Sequence, residues 1–323
     1  MNLSLAKRIL MENGYELTKG RKLIETENYL KRHGYFLVEA DEEDEDEEEE
    51  TDDFDEDSED KISAEEKKEL KDIVDALKSK TNYADYVKEL KGLKDNQRKL
   101  LKYLVGDGPL SKDVSVKRGS LSVKILHPTQ QEIDVQNSLA YPLQKDPKGI
   151  PPILKGDSPI TIADNPILVY KYNGDGKYYI IDGHHRWSQV CLLNRSAKMK
   201  VILFSSPSEN EKPVSMLRDF QLVIKAVTGE VKIAEADSKY NIYTMTDDAI
   251  KSYIDETITD GAVQQWQTVK EDATKESIEN DIVTNAKKLK KYNAPAEGAP
   301  RRNIMPQTDD KTIAIAARGM TNI

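Results

Sequence analysis

Tyr178-Tyr179-Ile180-Ile181-Asp182-Gly183-His184-His185-Arg186-Trp187 is the stretch on which the fold of this chain turns. An apolar, strand-forming run goes straight into Asp-Gly. A helical pattern with Trp187, Val190, Cys191 and Leu193 on its inner face begins within the next few residues. Such a corner puts Gly183 where backbone passes close to a ligand and aims a helix N-terminus at it. Helix N-termini favour phosphate because their free N–H groups and dipole point outward. Arg186 offers a planar fork for phosphate oxygens, while His184 and His185 add switchable donors or general acid-base groups. Asp182, at the strand end, is placed to hold a ribose hydroxyl, a metal-bound water or a histidine. The competing reading is a satisfied turn, in which these side chains only cap the helix and pair with carboxylates.

Working outward, Pro166-Ile167-Leu168-Val169-Tyr170 reads as a strand, joined to Tyr178–Ile181 by Asn173-Gly174-Asp175-Gly176, a strong hairpin signal. Lys198–Phe204 returns as a strand after the helix. Val114–Val116 and Leu121–Ile125 alternate apolar and polar residues and read as two further strands, followed by turns at Pro147, Pro151 and Pro152. Helical patterning flanks this block on both sides. Ser63 with Glu66 predicts a capping box, with Ile73, Val74 and Leu77 following at helical spacing. Thr81 and Asp95 are candidate caps for two more helices. Past Pro213, helices are expected around Met216–Val223, Ile250–Ile254 and Ile278–Leu289. The predicted class is α+β: a central mixed α/β domain between helical N- and C-terminal segments.

Composition divides the chain further. Of the 20 residues from Asp41 to Asp60, 17 are Asp or Glu, so the net charge of −10 conceals a body at about +7. The divisions are 1–40, a helical repeat (Leu10–Leu17 returns as Leu30–Leu37) read as a docking or self-association module; 41–60, an acidic disordered tether; and 61–108, Lys-rich helices. Then follow 113–207, the central domain; 213–292, a helical region; and 293–323, a loop-like tail, mobile or pinned to a partner. The tether reads as a solvated linker or as a competitor for a basic groove. Lys78, Lys80, Lys88, Lys91, Lys94, Arg98, Lys99 and Lys102 form either a solvated face or a contact surface for a nucleic-acid backbone. No run of eighteen apolar residues is present, and the first residues lack a signal-peptide pattern, so a cytoplasmic protein without a membrane span is expected. A single cysteine, Cys191, excludes an internal disulfide and a Cys-cluster zinc site. Walker glycine loops, nucleophile elbows and dinucleotide fingerprints do not occur. Trp187 and Trp266 read as core anchors.

Asp182-Gly183-His184-His185-Arg186 resembles the signature corner of ParB/sulfiredoxin-fold proteins, among them partition-protein nucleotide-binding domains, ParB-like nucleases and free-serine kinases. Val123–Asp134 resembles the family's opening strand and polar loop, and the hairpin before the corner fits the same template. The likeness covers roughly ninety residues, under a third of the chain. It implies that Asp182, Gly183, His184, His185 and Arg186 hold the phosphates of a nucleotide (CTP, ATP or ADP). It also implies catalytic roles for Glu132, His184 and His185, with Glu132 as base, and Mg²⁺ held by Glu132, Asp134 and Asp182. His184 and His185 with Asp182 are a further divalent-ion candidate. Sulfiredoxin carries a cysteine where this chain has His184, so sulfinic-acid repair is not implied. Leu217–Tyr240 lacks a tight-turn recognition pair, which counts against centromere binding. The resulting expectation is NTP-dependent phosphoryl transfer or hydrolysis. Two alternatives stand beside it: a metal-dependent nuclease on DNA, and a non-catalytic assembly protein of the kind found in tailed phages, placed in the host cytoplasm or the virion.

Overall fold

Alternation of apolar residues along the central strands, with partners on both faces, makes the sheet the middle layer of the molecule. The structure is a computed structural model and describes residues 62–93, 97–111, 114–208, 211–233 and 239–307. The repeat at 1–40, the acidic tether at 41–60, Asp95 and the tail beyond 307 lie outside the described residues. Five strands, β1 (Ser115–Ser122), β2 (Leu126–Pro128), β3 (Ile167–Lys171), β4 (Tyr178–Asp182) and β5 (Lys198–Ser205), lie in the order β1-β5-β3-β4-β2. β1 runs antiparallel to β5 and β3 antiparallel to β4, while β3/β5 and β2/β4 are parallel. The fold is α+β with a mixed sheet.

On β3, Ile167 and Val169 enter one core, while Leu168 and Tyr170 enter the other. The same alternation on β5 sends Met199 and Val201 to the first core and Ile202 and Phe204 to the second. The first face is covered by α4 (Val135–Ala140), α5 (Ile150–Lys155), α6 (His184–Leu193), α8 (Asp247–Thr257), α9 (Asp260–Gln267) and α10 (Lys275–Tyr292). The second is covered by α1 (Ala64–Lys78), α2 (Tyr83–Gly92), α3 (Gln97–Gly106) and α7 (Pro213–Thr228). Stretches that composition separates therefore share one sheet. Trp187 and Trp266 are both fully buried in the first core, and the Trp187 indole donates to Val123 O.

Several expectations are corrected. Val114–Val116 and Leu121–Ile125 are not two strands. β1 is continuous through the exposed Arg118-Gly119-Ser120, because it pairs residue for residue with β5, and Val123–Ile125 then winds into a 3₁₀ turn. The capping box at Ser63 and Glu66 forms, but α2 is capped by Asn82 rather than Thr81, its Oδ1 accepting from Ala84 N–H at 2.9 Å. The Pro-rich segment is helical: Pro147, Pro151 and Pro152 occupy first-turn positions, where a missing N–H costs nothing.

The tail from 293 to 307 is pinned to this chain. Asn293, fully buried, donates to Lys124 O and Leu126 O and accepts from Arg195. Ala296 N–H then donates to Pro128 O, and Pro300 O accepts from Gln131 N–H. The segment ends in β7 (Pro306–Gln307), paired with β6 (Lys232–Ile233). Among the described residues no helix is long and apolar enough to cross a membrane.

Candidate functional site

The hairpin delivers the corner with a defect built in. Val169 pairs with Ile180 but Leu168 pairs with Asp182, so β4 carries one extra residue, Ile181, as a bulge. A bulge bends and re-aims the strand end. Gly183 follows at φ +91°, a conformation that side chains rarely adopt. A Cβ placed there would lie 2.5 Å from Ile167 Cγ2. Glycine is thus required twice over, by backbone conformation and by the close approach of β3. α6 starts at once, its first intrahelical bond running from Trp187 N–H to Gly183 O at 2.9 Å. The N–H groups of His184 and His185 precede that bond and have no partner within the helix.

These groups open on a cavity of about 210 Å³. Its polar lining comes from Gln130, the 182–186 corner and Arg302. The rest is mainly apolar, formed by side chains of β3, β4 and α7 with Met305 and Pro306 from the tail; Gln221 interrupts it.

Each residue expected at the site has a definite place. His184 is buried, and its Nε2 accepts from Thr129 N–H at 3.1 Å, which fixes the proton on Nδ1. Burial, with His185 and Arg302 nearby, lowers its pKa to about 3. His185 also lies in the wall, with the Arg302 Nη1 2.6 Å from its Nε2. Burial first, and the Arg302 charge second, lower its pKa to about 3 as well. Both imidazoles are therefore neutral near pH 7. Arg186 is turned inward: Nη2 bonds Asp182 Oδ2 at 2.7 Å, and Nη1 donates to Asn165 O at 2.9 Å. Its fork, expected to face phosphate, ties the start of β3 to the corner.

The carboxylates expected to share a metal are not brought together. Asp182 pairs with Arg186. Asp134 caps α4, its Oδ1 accepting from Asn137 N–H at 2.9 Å. Glu132 is buried and outside the cavity lining. Its Oε2 accepts from Arg302 N–H at 3.0 Å, and its Oε1 lies 3.5 Å from Arg301 Nε. Among the described residues no group of three or more His, Cys, Asp or Glu side chains converges as metal ligands would, so the expected Mg²⁺ set does not fit. Glu132 positions the tail, and a role as base for a substrate in the cavity is not supported by its placement.

The main residue absent from the sequence reading is Arg302, about 120 positions beyond the motif. Glu132 fixes its backbone and its guanidinium reaches the α6 N-terminus, where it forms no salt bridge among the described residues. A basic pair, Arg301-Arg302, in a Pro- and Gly-bearing tail was the available signal. Gln221 was also missed. It stands between Leu217 and Ile224 on one stripe of α7, a polar residue where the helical period calls for an apolar one.

The lysine face is partly spent on internal pairing. Lys78 bridges Asp219 at 2.8 Å and Glu211 at 3.1 Å in a largely buried cluster. Lys80 pairs with Glu89 and Lys99 with Glu66, while Lys88 and Lys91 are exposed.

A scan against protein-family models, a search of curated proteins and a search of solved structures each found no match for this chain. Fold and site together define an α+β domain with a donor-rich pocket at a strand-to-helix corner.

Proposed function

We propose that the domain binds a phosphorylated ligand of the nucleotide class. The phosphate would sit against the first turn of α6 and beside Arg302. The observation that carries this reading is the coincidence, in one cavity, of a helix N-terminus and a guanidinium without a salt-bridge partner among the described residues. The Asp134 and Glu132 carboxylates act on Arg302 only from beyond salt-bridge range, and a cationic side chain beside the positive end of a helix favours an added anion. The likeness of Asp182–Arg186 to the ParB/sulfiredoxin corner leads to the same ligand class. Arg302, rather than Arg186, takes the role of the phosphate fork.

Binding is better supported than catalysis. Of the three residues expected to be catalytic, Glu132 lies outside the lining and His184 is spent on Thr129. His185, a neutral imidazole, accepts from the Arg302 guanidinium, which can only donate, so its lone pair is occupied as well. A nuclease reading would need a cation held by the chain, and the carboxylate placement does not favour it.

Calorimetric titration with inorganic phosphate, CTP, ATP and ADP, on wild type and Arg302→Ala, tests the proposal. Wild type is expected to bind phosphate or a nucleotide. Loss of a charge-assisted hydrogen bond, worth about 1.5–3 kcal/mol, should weaken that binding at least tenfold in the variant. No heat with any of the four ligands, or equal affinity in the variant, overturns it.

A further inference from the structure

Besides the phosphate corner, the cavity wall holds one polar group that its described surroundings leave unsatisfied. Gln221 on α7 is 2 % exposed and lines the cavity. Its Oε1 accepts from the Tyr83 hydroxyl at 2.5 Å, while its Nε2 has no hydrogen-bond partner among the described residues. Buried amide donors are rarely left unmade, because the desolvation penalty is then uncompensated. Around Gln221 the wall is apolar, built from Leu168, Leu217, Phe220 and Ile224. A single unmet donor in an apolar wall is the arrangement by which binding sites fix the orientation of a mostly apolar group.

The amide is also held in place. Tyr83 belongs to α2 and is itself buried; its hydroxyl has one proton to give, and Gln221 Oε1 takes it. The Arg218 guanidinium lies over the same ring, 5.3 Å from its centroid, and is itself held by donating to Lys78 O and Lys80 O. With Oε1 occupied, Nε2 is the polar atom of Gln221 still without a partner among the described residues, and it can only donate.

We infer that Gln221 is a specificity-determining residue of this cavity: it selects phosphate monoesters whose flat apolar body carries a hydrogen-bond acceptor, such as a ring carbonyl or ring nitrogen. The inference rests on the phosphate reading of the α6 corner and adds what the body of the ligand must offer. A site built to hydrogen-bond a group rejects the analogue that lacks it far more strongly than an apolar site rejects a change of size.

The test compares inorganic phosphate, phenyl phosphate and the nucleoside 5′-monophosphates AMP, GMP, CMP and UMP by calorimetry. The proteins are full-length wild type, Gln221→Glu, Gln221→Met and Arg302→Ala. Phenyl phosphate supplies a ring without an acceptor. Gln221→Glu keeps an acceptor for Tyr83 but has no N–H to give, and Gln221→Met keeps the length without either. Folding of each variant is checked by its thermal transition, and Gln221→Glu is the variant that preserves the Tyr83 bond. At least one nucleotide should bind wild type about tenfold or more tighter than phenyl phosphate. That advantage should vanish in whichever Gln221 variant folds, while inorganic phosphate binds wild type and Gln221→Met alike. If phenyl phosphate binds as well as every nucleotide, or if the advantage survives in the variants, the role of Gln221 is refuted with the phosphate corner intact. If inorganic phosphate and all esters fail to bind wild type, the phosphate reading itself falls, and the inference with it.

Discussion

Replacing Gly183 by alanine tests the corner where its geometry is tightest. Two costs follow from the structure. The backbone sits at φ +91°, outside the ordinary left-handed well, and holding a non-glycine residue in such a region costs about 1–3 kcal/mol. The new Cβ would also lie 2.5 Å from Ile167 Cγ2 and 3.0 Å from Ile167 Cβ, and forcing a methyl into a packed core costs about 1–3 kcal/mol more. Ile167 has no room to yield, because it is fully buried in the first core and paired with Val201 on β5. The expected loss is about 2–6 kcal/mol, read as a fall in the urea midpoint at unchanged slope. Ile167→Leu separates the two costs. It removes the Cγ2 branch and nearly conserves volume, at a cost of under about 1.5 kcal/mol alone. Combined with Gly183→Ala it should recover about 1 kcal/mol or more of the packing cost and none of the backbone strain, a coupling measurable in a double-mutant cycle. A Gly183→Ala loss below about 0.5 kcal/mol, or strict additivity with Ile167→Leu, would refute the close approach of β3 to the corner.

Two further outcomes concern the same corner. His184 and His185 have folded pKa values near 3 against an ordinary 6.5, so below about pH 6.5 the unfolded chain binds the extra protons. Their contribution to stability is complete above that pH and is lost toward pH 3, at about 1.4 kcal/mol per pH unit for each histidine. Asp219, raised by burial to about 7 from 3.8, opposes this by favouring the folded state as pH falls through the same window, so roughly one histidine's slope should survive. Proton NMR should show neither histidine titrating between pH 7.5 and 5, and a midpoint near 6.5 for either one would contradict the neutral pair. Arg186→Ala should destabilise by about 2–3 kcal/mol, because it leaves Asp182 without its guanidinium and strips the Asn165 carbonyl of a donor. Arg302→Ala should cost less than about 1 kcal/mol in the same denaturation series. The reverse order would exchange their assigned roles.

What the sequence determined by itself was local. Tyr178–Trp187 with its Asn-Gly-Asp-Gly joint specifies a hairpin, a corner and a helix, because turn chemistry, β-propensity and helical period are written within a few residues of one another. The Ser63–Glu66 capping box and the buried faces of Trp187 and Trp266 were legible for the same reason. Chain-wide partnerships were decided only by the tertiary structure. Arg186 reads as a phosphate fork until β3 brings the Asn165 carbonyl beside it. Asp134 reads as a metal ligand until its own next turn takes it as a cap. Arg302 reads as part of a loose tail until Glu132 holds its backbone and places its guanidinium at a helix N-terminus far away in sequence. Residue type and spacing state which groups can donate or accept. Which partner each one finds depends on distances that exist only once the sheet has brought the remote segments together.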